Sequence, residues 1–164
     1  LNNQGDIIFA EKLLQLVRTA LCWGQSTLML PALLYDSDRK EQSEAWTTLI
    51  TNDKFFITLG VLGRQGEPLL SPVLSCLEQL TYAIAGCSEM DKENALRLAR
   101  ALFPLLGVAP SPAPATALRR LVVNYSRHLL SLPPDEFLQF LTTLLAYIEH
   151  LIRLSALEEA VSIY

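Results

Sequence analysis

Residues 133–153 read PPDEFLQFLTTLLAYIEHLIR. The apolar residues Phe137, Phe140, Leu141, Leu144, Leu145, Ile148, Leu151 and Ile152 fall at offsets 0, 3, 4, 7, 8, 11, 14 and 15. That spacing predicts one face of an α-helix held for about four turns, with Glu136, Gln139, Thr143, His150 and Arg153 largely off it. Such a helix is expected to wall a core. Pro133-Pro134 separates it from the preceding segment, because proline opens helices and does not continue them.

Working outward, the same design recurs. Phe9, Leu13, Leu16, Val17, Ala20 and Leu21 predict a helix over 6–23, with Gly24 as its stop. Ser26–Leu34 reads as a short helix around Pro31, and Arg39–Thr51 as another. Asn52 or Asp53 is placed to cap a helix over 54–62. GRQGEP, residues 63–68, is a loop signal, and the glycine-rich GVLGRQG over 60–66 reads as a loop between helices. Ser71-Pro72 opens a helix whose face is Val73, Leu77, Leu80 and Ile84. Ser88 or Asp91 caps the next, which runs to Leu106 with Ala95, Leu98, Ala99, Leu102, Phe103 and Leu106 inward. The stretch 107–115, GVAPSPAPA, with Pro110, Pro112 and Pro114 at alternate positions, forbids helix and is a semi-rigid internal connector. Thr116–Leu132 follows, with Leu118, Leu121, Val122, Tyr125, Leu129 and Leu132 on one face.

The expected fold class is therefore all-α: antiparallel helical pairs forming either an open helical array or a compact bundle of about eight helices. The 164 residues suit a single domain. The chain opens at Leu1 with no initiator Met, which fits excision from a larger protein.

Hydrophobic residues make up 51% and mean hydropathy is +0.28, although only 18% of residues are charged. A large core explains part of that, and apolar surface covered by a partner explains the rest. The stretches 68–88 and 102–118 are poor in charge, but proline and polar residues interrupt both, so neither predicts a membrane-spanning helix. A net charge of −4 gives no general attraction to nucleic acid or anionic lipid. Cys22, Cys76 and Cys87 read as buried thiols of an intracellular, nuclear or cytoplasmic protein, with a Cys76–Cys87 disulfide as the less favoured alternative.

No motif for nucleotide, phosphate, zinc or calcium binding is present, and no nucleophile elbow. His128 and His150 sit at the edges of amphipathic patterns, and neighbouring Glu149 points away from His150 on a helix. Asp135 and Glu136 occupy a first helical turn, where negative charge suits the helix dipole. The sequence thus assigns no catalytic residue, cofactor or metal. Arg97, Arg100, Arg119, Arg120 and Arg127 form a candidate basic patch if their helices are neighbours. Trp23, beside Gly24, and Tyr35, beside a turn, are candidate aromatic anchors for a partner.

Successive leucine-rich helices in the pairs 39–62, 72–106 and 116–153 resemble armadillo- or HEAT-type repeats. The starts of the last two pairs, Pro72 and Thr116, lie 44 residues apart, within the 40–47-residue period of those families. The resemblance implies a scaffold. Its module would bind a short amphipathic or acidic segment of a partner protein in a groove between helices. The alternative is a helical bundle holding an apolar small molecule or lipid in an internal cavity.

Overall fold

The two middle helices carry the core. The computed structural model describes residues 4–29, 48–49, 51–84, 91–108 and 114–162. Six long helices span them: α1 (Gln4–Met29), α2 (Asp53–Gly63), α3 (Leu70–Ile84), α4 (Asp91–Leu106), α5 (Ala115–Leu129) and α6 (Pro134–Ser162). No strand occurs among the described residues, so the all-α class holds. The short helix expected near Pro31 lies mostly outside those residues, as does most of the one expected over 39–51.

On α3, Val73, Cys76, Leu77 and Leu80 have no solvent exposure; on α4, Ala95, Leu98, Ala99, Leu102 and Leu105 have none. Burial on α4 extends to Ala101 and Leu105, beyond the single expected face, because the helix is covered from several sides. It packs against α2, α3, α5 and α6. The other substantial contacts are α1 on α3, α2 on α3, and α3 on α5. Among the described helices, α2 to α5 each meet a neighbour and a helix two places away, α6 meets α4, and α1 meets α3.

The local signals explain several boundaries. Asn52 caps α2, its Oδ1 accepting the Lys54 N–H at 3.0 Å. Gly60 to Gly63 form the last turn of α2, not a loop, and the turn begins at Arg64. Gly66 adopts φ +79°, and its carbonyl accepts from Leu69 and Leu70 as α3 begins. Gly63 permits a close approach: an added Cβ would lie 2.8 Å from one Leu105 methyl and 3.2 Å from a Val73 methyl.

Other expectations are corrected. Gly24 does not stop α1, which continues to Met29. The buried stripe of α1 is Leu14 and Leu21 with Ile7, Ala10 and Val17 beside them, whereas Phe9, Leu13 and Leu16 stand in solvent. A helix with apolar residues on more than one face leaves the choice to its neighbours. The helices α5 and α6 do not form an antiparallel pair; each packs on α4.

The largest correction concerns α6. It walls the core with a narrower stripe than expected. Its inner stripe is Phe137, Phe140, Leu144, Tyr147 and Leu151. Leu138, Leu141, Leu145, Ile148 and Ile152 are exposed, although four of these five were expected inside.

Candidate functional site

Two clefts flank α4, one on the α2 side and one on the α6 side. Arg100 lines both. The first, of about 530 Å³, lies between α4 and α6 and is lined by Arg100, Phe103, Pro104, Glu136, Gln139 and Phe140 among others. The second, of about 330 Å³, lies between α2 and α4 and is lined by Asp53, Phe56, Ile57, Arg64, Arg97 and Arg100 among others.

Helical spacing explains the line of arginines. Arg97 and Arg100 are three residues apart, so they stand one turn apart on the same face of α4. Arg97 is held from three directions. Its Nε donates to Asp53 on α2, its Nη1 to Asn94 Oδ1 at 2.9 Å, and its Nη2 to Glu93 Oε2 at 3.4 Å. Arg100 donates to both carboxylate oxygens of Glu136, at 3.0 and 3.3 Å. This two-point geometry fixes the guanidinium plane. Arg64 is held differently: its Nε donates to the Gly60 carbonyl at 3.3 Å, and among the described residues no carboxylate pairs with it. The apolar floor comes from Phe103 stacked on Phe140, with centroids 3.7 Å apart and planes 19° from parallel. Ile57 adds an exposed apolar side chain on the α2 wall.

The structure therefore brings together Arg97 and Arg100 and adds Arg64, Ile57, Phe103 and Glu136, which sequence reasoning did not select. Arg64 lay in a segment read only as loop, and no periodic pattern tied it to α4. Arg119 and Arg120 line a separate cleft on α5 with Thr116 and Val123, so the five arginines do not form one patch. Arg120 also makes an ion pair with Glu78 on α3 at 3.5 Å. Arg127 is exposed in the last turn of α5. Tyr35 lies outside the described residues, as does the side chain of Trp23.

Among the described residues, no group of three or more His, Cys, Asp or Glu side chains converges to hold a metal ion. Cys76 is buried, and its Sγ donates to the Leu14 carbonyl of α1 at 3.5 Å. Desolvation pushes its thiol up to about 12, with nearby Arg18 opposing and Cys22 adding to the rise. A thiol so shielded is a packing group, not a nucleophile. Glu67, Arg18 and Glu11 line a further cleft between α1 and the start of α3. All four clefts carry charged side chains, and none is a closed apolar chamber. Comparison of the chain with protein-family models, curated proteins and solved structures returned no match.

Proposed function

We propose that this chain is a protein–protein interaction module built as a short armadillo/HEAT-like helical array, and that it takes a short segment of a partner protein along α4. The repeat reading rests on packing order. Among the described helices α2 to α5, contacts with the neighbour alternate with contacts to the next but one, an order that stacking of helical pairs produces. The placement of exposed apolar residues agrees. Among the described residues, those with large side chains lie on α1, α2, α5 with its C-cap, and α6, and none lies on α3 or α4. A stack covers its middle and leaves its ends bare.

The observation that carries the binding reading is the pair of clefts on either side of α4, both lined by Arg100. The floor is aromatic, and Arg64, Arg97 and Arg100 outnumber Asp53 and Glu136 along them. That combination suits an acidic amphipathic segment, with apolar side chains on Phe103, Phe140 and Ile57 and a carboxylate on Arg64. Arg97 and Arg100 already hold carboxylates and orient the walls. An apolar ligand in an internal cavity is less well supported, because the clefts are open and charged.

The test is site-specific crosslinking. A photoreactive residue in place of Ile57 should capture one protein from a cell extract, through an acidic amphipathic peptide identified by mass spectrometry. Arg64→Glu should abolish the capture, and Lys12→Glu on α1 should not. Capture unaffected by Arg64→Glu, or no capture from any extract in which the source protein is expressed, overturns the reading.

A further inference from the structure

The most extended bare apolar stripe is on α6. Leu138, Leu141, Leu145, Ile148 and Ile152 are separated by 3, 4, 3 and 4 residues, the a/d spacing of a coiled-coil seam. Leu138, Leu145 and Ile152 are 65%, 66% and 64% exposed. The inner stripe Phe137, Phe140, Leu144, Tyr147 and Leu151 has the same spacing one residue earlier, about 100° round the helix. So α6 carries two seams: one packs toward α4 and the other faces solvent.

We infer that the outer seam is a self-association surface that takes α6 of a second copy of this chain, running antiparallel. Three observations choose that occupant. The period of 3.5 is one that only another helix crossing at a shallow angle can match along its length. The stretch from Phe137 to Ile148 contains no charged residue, so pairing the seam with itself brings no like charges together at its centre. The charges at its ends set direction. Asp135 and Glu136 occupy the first turn. Parallel pairing would set both acidic ends, and both like dipole ends, side by side; antiparallel pairing separates them.

The same charges select a register. With Leu145 opposite Ile148 of the second copy, Leu141 lies opposite Ile152, and Glu149 flanks the neutral Thr142. Sliding by one heptad so that Leu141 meets Leu145 would bring Asp135 beside Glu149, a like-charge pair. From Leu138 to Ile152 the seam runs about 21 Å. That is short for a standard interface of about 800 Å² per partner, so the dimer is a weak one that dissociates on dilution.

By length and composition, Pro134–Ser155 is also long and apolar enough to cross a membrane. Its inner seam and the Arg100–Glu136 pair fasten it to α4, and Thr142, Glu149 and Arg153 stand exposed on it. A lipid surface is therefore the occupant that the test must separate from a second copy.

The experiment is sedimentation of the 164-residue chain from about 1 to 200 µM, with variants. A reversible monomer–dimer equilibrium is expected, lost in Leu145→Glu and kept in Leu130→Glu, whose site is an exposed leucine just past α5. Thr142→Lys should tighten the dimer about two- to five-fold by facing Glu149 across the two-fold axis, and Thr142→Glu should weaken it. These last two substitutions sit on an exposed position, so a folding failure does not confuse them. A monomer throughout, a dimer indifferent to Leu145→Glu, or a monomer that pelts down with neutral phosphatidylcholine vesicles overturns the inference. The surface is separate from the cleft at Ile57 and Arg64, so either proposal can fail alone.

Discussion

The Arg100 guanidinium grips the Glu136 carboxylate through two nitrogens, at 3.0 and 3.3 Å, beside the Phe103–Phe140 stack that also joins α4 to α6. Polar and apolar links between the same two helices differ in what they contribute. The ion pair is half exposed and worth at most about 1 kcal/mol. Phe140 is 4% exposed, and its removal opens a cavity. Glu136→Gln should therefore lower stability by less than about 1 kcal/mol, and Phe140→Ala by about 3–5 kcal/mol. Urea unfolding followed by circular dichroism checks both. Equal losses would mean that the pair, not the ring stack, holds α6.

Two glycines of one helix should respond with opposite signs. A Cβ on Gly60 would sit 3.8 Å from the Ala101 carbonyl oxygen, an ordinary contact, and α2 would gain a better helix former. Gly60→Ala should stabilise by about 0.5–1 kcal/mol. At Gly63 the Cβ would press on methyls of Leu105 and Val73, both without solvent exposure. Gly63→Ala should destabilise by about 1–3 kcal/mol. Midpoints of thermal unfolding for the two variants should fall on either side of the parent.

How much of this was legible depends on how many stripes a helix carries. On α3 and α4 the periodic residues are the buried ones, because Glu78, Lys92, Glu93 and Arg97 mark the faces that cannot be covered cheaply. On α6 no charge interrupts Phe137 to Ile148, so the sequence offers two stripes and no reason to prefer either. Packing on α4 decides, and that is a long-range fact. The clefts beside α4 show the same limit. Arg97 and Arg100 are one turn apart by spacing alone, but Arg64 joins them only because α2 packs on α4.

Adjacent residues on α6 test that account directly. Tyr147 is buried and Ile148 is 43% exposed, yet a hydropathy pattern ranks the isoleucine as the better core residue. Tyr147→Ala should cost about 3–5 kcal/mol, and Ile148→Ala less than about 1 kcal/mol, when both are measured at concentrations where the chain is monomeric. Chemical denaturation at about 1 µM is the appropriate measurement. A larger loss at Ile148 would reverse the orientation of α6.

Cys76 should make the fold sensitive to alkali. Its thiol is raised from 9.0 to about 12 by burial, so the unfolded chain gives up that proton first as pH rises. Between those values the native state binds more protons than the unfolded state, and stability falls with pH. The contribution is complete below pH 9, declines from there, and is gone once pH passes about 12. Cys76→Ala should remove this slope while costing stability at neutral pH through the lost packing and the lost contact with the Leu14 carbonyl. Stability measured at pH 7.5 and pH 10 should drop more in the parent than in the variant. Alkylation of Cys76 by iodoacetamide at pH 8 should also be slow in buffer and fast in urea, since the buried thiol reacts only when α1 and α3 separate. Parallel pH curves for parent and variant, or fast alkylation in buffer, would place the thiol at the surface and contradict the α1–α3 contact that buries it.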